Sequence, residues 1–191
     1  LKRHRHSRTI GFSTMTIAAR TVSRLEKHGV SAACTALMCA ALIYTPAGAQ
    51  DRLVDLELVL AADVSRSMDL QELALQRQGF AEAVRHADVL RAIRNGPHGR
   101  IAVTYMEWAG SRFQRSTVQC SEISNATSAE AFALAIESAD LRVELWTSIS
   151  TAIVSGLLRF DGNGFWGLRK VIDISGDGPN NQGLFVVHAR D

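Results

Sequence analysis

The sequence predicts an α/β domain built on a doubly wound, mostly parallel sheet. Buried-type strands alternate with helical segments, the first of these strands becomes continuously apolar, and a loop containing Asp follows this strand and a later buried-type strand. A continuously apolar strand is typical of a parallel sheet that is covered on both faces. The 191 residues have room for one such domain.

The first half of the chain shows this alternation in order. Residues 54–62 alternate at their start and then become continuously apolar, as a central parallel strand does. Apolar residues at mixed three and four spacing predict a helix from just after Ser67 to about Leu90. A turn at residues 94–99 then leads to a second strand at residues 100–108, where apolar side chains alternate.

The second half continues the pattern. Thr127, with Glu130 three residues later, fits the start of a capped helix. The predicted elements are a weaker strand, this capped helix, a further helix and a buried-type strand, at residues 113–118, 128–138, 148–160 and 168–175. Strands that alternate with helices in this way predict the parallel sheet.

The charge distribution excludes one class of partner. The formal net charge of +2 conceals an asymmetry, because the first 49 residues hold 7 Lys and Arg against one acid. From Gln50 onward the chain has 14 basic and 18 acidic residues, a net charge of −4. A domain with this balance lacks the basic surface that nucleic acids require, so we expect no nucleic-acid partner.

Residues 1–49 are predicted to be an N-terminal extension and signal peptide, and residues 50–191 to be the domain. A basic stretch precedes an apolar run at residues 30–44, and an Ala-Gly-Ala cleavage sequence ends at Ala49. The apolar run of about 15 residues is shorter than the roughly 20 that a membrane-spanning helix needs. We therefore expect cleavage near Ala49, a periplasmic or secreted location in a bacterium, and no stable membrane span afterwards.

Five oxygen-bearing side chains fall where the elements end. Asp63, Ser65 and Ser67 alternate after the first buried strand, Thr147 precedes a predicted helix, and Asp177 follows the second buried strand. In open α/β sheets this edge is where ligands bind, and hydroxyl and carboxylate oxygens suit a hard divalent cation. The Asp-x-Ser-x-Ser segment alone would be read as helix capping. Thr147 and Asp177 at matching positions instead favour a metal site.

This pattern, with Thr147 and Asp177 at these spacings, resembles the metal-ion-dependent adhesion site of the von Willebrand factor A superfamily. Further segments look like a bacterial exported branch of it, at residues 60–69, 99–108, 146–149 and 174–181. The resemblance implies a Rossmann-like fold in which Ser65, Ser67 and Thr147 bind Mg²⁺, or Mn²⁺ or Ca²⁺, through their hydroxyls. Asp63 and Asp177 would supply negative charge partly through bound water. It also implies a protein partner whose acidic residue completes the metal's ligands.

Three functions remain open at this point. The first is a non-enzymatic, adhesion-type module that engages an acidic protein ligand through the cation, since two carboxylates leave a divalent ion able to accept a third. The second is a Mg²⁺-dependent hydrolase using the same loop, although no general base or second nearby carboxylate accompanies Asp63. The third is a truncated chain without independent activity.

The resemblance also implies more sheet than this chain contains. We therefore expect a C-terminally incomplete domain in which the strand around Val171 is an exposed edge and the fold is marginal or depends on a partner. Residues 185–187 would form either a short strand along that edge or, by the resemblance, the start of a helix.

Several other side chains have two interpretations. Asp69 and Glu72 suit the positive end of the first helix more than a metal role. Asp173, inside an apolar strand, is either buried and hydrogen-bonded or near a strand edge. Arg66 could guide an acidic ligand or be simply solvated, and Trp146 could border a binding surface or pack at a strand end.

Overall fold

The computed structural model describes residues 50–191, so the predicted N-terminal extension and signal peptide lie outside the described residues. Its centre is a four-stranded sheet of order β4-β3-β2-β6. The elements in chain order are β1 (Arg52–Val54), β2 (Leu56–Asp63), α1 (Leu70–Arg85), α2 (Ala87–Arg94), β3 (Ile101–Trp108), β4 (Gln114–Ile123), α3 (Ala126–Glu137), α4 (Ile149–Leu158), β5 (Phe165–Gly167), β6 (Lys170–Ser175) and α5 (Val186–Arg190).

The sheet is mostly parallel, as predicted. Strand β2 runs parallel to β3 on one side and to β6 on the other, whereas β4 is antiparallel to β3. Near the carboxyl end of β2, Ala62 lies opposite Glu107 and Ser175. The loops that follow β2 and β6 therefore leave the sheet side by side.

Helices cover both faces of this sheet. On one face Leu60 and Tyr105 belong to the same buried cluster as Phe132 of α3, together with residues of α1 and α2. On the other face Ala61 and Trp108 cluster with residues of α4. Because both faces are covered, β2 is apolar from Leu58 to Ala62. Within residues 50–191, no helix is long and apolar enough to cross a membrane.

The predicted long helix after Ser67 is two helices. His86 has an extended backbone (φ −62°, ψ 133°). Its Nδ1 accepts a hydrogen bond from the amide of Asp88 and so caps the start of α2. Val84 of α1 and Leu90 of α2 nevertheless join the same core cluster. The apolar spacing therefore continues across the break, and the sequence pattern does not show it.

The predicted N-terminal cap of α3, Thr127 with Glu130, is wrong. The N-cap is Asn125, whose side chain accepts from the amide of Ser128, and the Ser128 hydroxyl accepts from the amide of Asn125. Thr127 thus lies within the first turn, and Glu130 forms an ion pair with Arg85 of α1. Both Asn-x-x-Ser and Thr-x-x-Glu can form these reciprocal hydrogen bonds, so the sequence does not distinguish them. The structure has the Asn125–Ser128 box, two residues before the predicted one.

The lower end of the sheet contains a small element that the sequence analysis missed. Strands β1 and β5 form a separate parallel pair. The buried carboxylate of Glu57 holds this region, accepting from the amide of Gly167 (2.7 Å) and from the side chain of Asn163 (2.8 Å). Burial of Glu57 is therefore compensated by hydrogen bonds, as buried charge requires.

The structure distinguishes the alternatives for residues 185–187 and for Asp173. Residues 186–190 form the helix α5, so the helical alternative for residues 185–187 holds. Strand β6 is paired on one side within the described residues, and Asp173 on it is exposed. Asp173 is thus the strand-edge residue of the two alternatives.

A buried ion pair joins four parts of the domain. Arg77 of α1 donates its Nε to Glu107 of β3 (3.0 Å), and its other nitrogens donate to the carbonyls of Ala139 and Asp140 after α3. Thr117 of β4 donates to the second Glu107 oxygen (3.0 Å). Both charged side chains are almost fully buried. The cost of burying them is offset because every polar atom of the pair has a hydrogen-bond partner.

Removing the Glu107 carboxylate should therefore be costly. We expect Glu107→Ala to lower the free energy of unfolding by about 3–5 kcal/mol, because it leaves the Arg77 guanidinium buried and unpaired. Urea denaturation followed by circular dichroism measures the change. The matched control is Glu130→Ala, which breaks an exposed ion pair to Arg85 and should cost about 0.2–1 kcal/mol. Equal losses in the two variants would contradict the buried network.

Candidate metal site

Asp63 is the last residue of β2 and is fully buried. Its Oδ1 accepts a hydrogen bond from the amide of Ser65 (2.7 Å), whereas its Oδ2 is buried without a hydrogen-bond partner within residues 50–191. Burial raises the pKa of Asp63 above its ordinary value, the hydrogen bonds from Ser65 oppose the rise, and the negative charge of Asp177 adds to it. This carboxylate therefore presents one buried oxygen that needs a positive partner.

A chain of hydroxyls connects the loops after β2 and β6. The Ser65 and Ser67 hydroxyl oxygens are 2.9 Å apart, and Ser67 donates to Oδ1 of Asp177 at 2.8 Å. Ser67 and Asp177 are 110 residues apart in the chain. Ser65 is buried, while Ser67 and Asp177 are exposed, so the chain of oxygens runs from the end of the sheet to the surface.

Thr147 completes the group. Ser65, Ser67 and Thr147 line one cavity of about 210 Å³. A Cβ atom placed on Gly178 would lie 3.8 Å from the Thr147 hydroxyl and 4.0 Å from that of Ser67, so both hydroxyls face the same glycine. The structure thus brings together all five residues that the sequence analysis selected.

Two asparagines that the sequence analysis missed as positioning residues hold the loops in place. The Thr147 amide donates to the side chain of Asn181 (2.8 Å), and the Asn181 amide donates to the Thr147 carbonyl (2.9 Å). Asn180 accepts from the amide of Ser150 at 3.3 Å. The signal in the sequence is an Asn-Asn pair after Gly-Asp-Gly-Pro, since Asn side chains bond to nearby backbone in turns. These bonds attach the Asp177 loop to the start of α4.

Gly176 is a further residue of the site that the sequence analysis missed. A Cβ atom there would lie 3.0 Å from the unpaired Oδ2 of Asp63 and 3.0 Å from the Trp108 ring. The Trp108 indole is itself held by a hydrogen bond to the carbonyl of Ala61 (3.1 Å). Glycine at position 176 therefore leaves room beside the buried carboxylate, which a side chain would press upon.

Asp69 and Glu72 cap α1, as expected. Oδ1 of Asp69 accepts from the amides of Gln71 (2.7 Å) and Glu72 (2.9 Å), and Glu72 accepts from the amide of Asp69 (2.8 Å). These reciprocal bonds form a capping box. Arg66, in contrast, is exposed and lines the same cavity as the three hydroxyls.

The donor set fits a hard divalent cation. It consists of hydroxyl and carboxylate oxygens, which are the ligands that Mg²⁺ and similar ions prefer. The part of the chain that the structure describes contains no cluster of three or more His, Cys, Asp or Glu side chains suited to a metal. A cation here would depend on hydroxyls, and the buried Oδ2 of Asp63 would gain the partner it lacks.

The family model described as "Protein of unknown function (DUF1194)" matches residues 53–191, which is most of the chain. The chain belongs to the DUF1194 family. No curated protein matches this DUF1194 chain. The family assignment covers the whole sheet and all five residues of the candidate site.

Two solved structures of one mussel protein support the fold of this DUF1194 member. Proximal thread matrix protein 1 from the mussel byssus superposes with a TM-score of 0.55 at 16% identity, over 73% of this chain and 35% of that one. A second structure of the mussel protein, "with zinc occupied MIDAS motif", has a TM-score of 0.54 at 17% identity over the same shares. The vWF domain of the pilus tip protein Mfa5 from Porphyromonas gingivalis gives 0.41 at 14% identity, over 66% of this chain and 39% of that one.

The chain spans about a third of the length of the mussel protein. The likeness to that protein confirms the predicted von Willebrand factor A-like fold, with a mostly parallel sheet between helices. At this level of identity the likeness is one of fold.

A methyl group at Gly176 should disturb the site directly. We expect Gly176→Ala to lower the free energy of unfolding by about 1–3 kcal/mol, because its Cβ presses on Asp63 and Trp108. Gly79→Ala is the matched control: a Cβ there has no neighbour within 4 Å, and the change should stabilise α1 by about 0.4–1 kcal/mol. Chemical denaturation of both variants measures the two opposite effects, and a stabilised Gly176→Ala would contradict the close approach.

Proposed function

We propose that this chain is an exported, non-enzymatic binding module that uses a divalent cation to engage an acidic residue of a protein partner. The cation is held by Asp63, Ser65, Ser67, Thr147 and Asp177. The observation that carries the proposal is their convergence from three separate loops, with one Asp63 oxygen buried and unpaired beside them.

The five residues divide the work by chemistry. The hydroxyls of Ser65, Ser67 and Thr147 serve as neutral ligands, and the two aspartates supply negative charge partly through bound water. Bound Mg²⁺ supplies positive charge that attracts a further carboxylate, because two aspartates only balance its charge and leave it electrophilic. Mn²⁺ and Ca²⁺ offer the same chemistry with less demanding geometry.

Two further observations support the proposal. The similar mussel protein has a structure whose description records zinc in a MIDAS motif, which favours a divalent ion in this chain as well. Residues 1–49 carry the basic, apolar and Ala-Gly-Ala parts of a signal peptide, which favours export to the periplasm or the cell exterior.

A binding role is favoured over hydrolysis by what surrounds the hydroxyls. Their cavity is lined further by Arg66, Leu145, Trp146 and Asn181, none of which is a general base. Asp63 already accepts a hydrogen bond from the Ser65 amide, and the Asp177 carboxylate accepts from Ser67. Mg²⁺-dependent phosphatase turnover that disappears in Asp63→Asn would overturn the non-enzymatic assignment.

Removing single oxygen ligands tests the metal site. Titration calorimetry with Mg²⁺ should detect binding to the unchanged protein and lost binding in Ser65→Ala and Asp177→Ala. The matched control is Ser121→Ala on β4, where the hydroxyl donates only to the carbonyl of Gln119. This control should keep the affinity. Unchanged affinity in both site variants would show that the five residues do not bind the ion.

The raised pKa of Asp63 predicts a pH dependence without metal. Because the folded state favours the neutral carboxyl, stability relative to Asp63→Asn is unaffected below the ordinary aspartate pKa and falls as pH rises through the raised pKa. The difference is measured by thermal melts of both proteins in EDTA, at pH values from about 3.5 to 8 in steps of roughly half a unit. A difference that does not change with pH would contradict the burial of this charge.

A further inference from the structure

Trp146 occupies an unusual backbone conformation beside the candidate metal site. It directly precedes Thr147, its φ is 69°, and its side chain is 58% exposed. Bulky residues rarely adopt a positive φ, and such strain is found where ligands are held. Because more than half of the Trp146 side chain is exposed, its packing against the core does little to offset the strain of this backbone conformation.

Neighbouring segments fix the backbone on both sides of Trp146. The Gly110 amide donates to the carbonyl of Leu145 (3.1 Å), and Thr147 exchanges two hydrogen bonds with Asn181. A Cβ on Gly110 would lie 2.7 Å from the Leu145 carbonyl oxygen and 3.0 Å from the Cβ of Trp146. The strained residue is therefore held by a rigid support that only glycine at position 110 permits.

A second cavity lies beside this support. Its volume is about 390 Å³, and its lining combines the apolar side chains of Phe113, Leu145 and Trp146 with the polar residues Ser111, Arg112, Glu144 and Gln182. Leu145 and Trp146 also line the cavity that contains the three hydroxyls. The two residues thus form a common wall, and Leu145 is itself 55% exposed. A ligand bound at the cation would therefore lie beside this apolar wall.

The charges around the wall indicate which ligand fits. Arg66 in the hydroxyl cavity and Arg112 in the second cavity are both exposed, and neither side chain has a hydrogen bond or ion pair within residues 50–191. Arg66 can attract a carboxylate toward the cation. In the second cavity the carboxylate of Glu144, which is half-buried, offsets the charge of Arg112, so the cavity has no net charge that would favour a second carboxylate, and Phe113 and the wall can contact an apolar side chain.

We propose that the second cavity and its wall of Leu145 and Trp146 form a subsite for a large apolar side chain next to the acidic residue of the partner. This inference rests on the proposed function and names the class of partner segment. A rigid, exposed aromatic residue offers a large contact area with little loss of conformational freedom, as in the energetically dominant residues of interfaces. Trp146 is then the residue that determines specificity.

The experiment uses two blocked hexapeptides with a single Asp, flanked on both sides by Leu in one and by Ala in the other. With saturating Mg²⁺, the unchanged protein should bind the Leu peptide about tenfold more tightly, the scale expected for added methylenes in an apolar pocket. Trp146→Gly should lose this preference, so that the two peptides bind equally. Glycine accepts the positive φ, so this variant preserves the backbone.

The matched control is Trp166→Ala, because Trp166 on β5 is equally exposed (58%) and lines neither cavity. This control should keep the tenfold preference. Equal binding of the two peptides by the unchanged protein, or a preference that survives in Trp146→Gly, would overturn the subsite and leave the metal-bridged function standing. If neither peptide binds the Mg²⁺-loaded protein, the proposed acidic ligand itself is wrong, and the subsite with it.

Discussion

Two parallel ladders hold β2 between β3 and β6, and the candidate site depends on them. Parallel strands end at the same edge, so pairing of β2 with β6 places Asp63 and the Asp177 loop together although more than a hundred residues separate them in the chain. A slip of one residue between these strands would turn every side chain to the other face. A slip would exchange the side chains of β2 between the two core clusters, so the packing of both faces keeps this register.

The loop between α3 and α4 requires a separate attachment, because it belongs to no strand. Arg77 supplies one by donating to the carbonyls of Ala139 and Asp140 while its charge is balanced by Glu107. Further along, the amide of Glu144 donates to the carbonyl of Val64 (2.8 Å). The loop is thus tied to the sheet at its start and to the Asp63 loop near its end, which leaves Thr147 in a defined position.

Much of this arrangement could be predicted from the sequence, and what could not has a physical reason. The apolar run of β2 could be recognised because burial on both faces of the sheet requires it. The break at His86 and the cap at Asn125 depend on one or two local hydrogen bonds that compete with equally plausible neighbours. The Asn-Asn pair indicates a turn, but its contacts to Thr147 and the positive φ of Trp146 arise only when the three loops meet, so the sequence pattern does not identify them.

The unpaired Oδ2 of Asp63 has a consequence beyond the site itself. An ionised, buried oxygen without a donor is a standing penalty on the folded chain. Under the proposed function, cation occupancy relieves that penalty, and by thermodynamic linkage the same free energy that holds the ion raises the folded population. The folded fraction of the protein would then rise with the free divalent ion concentration around it.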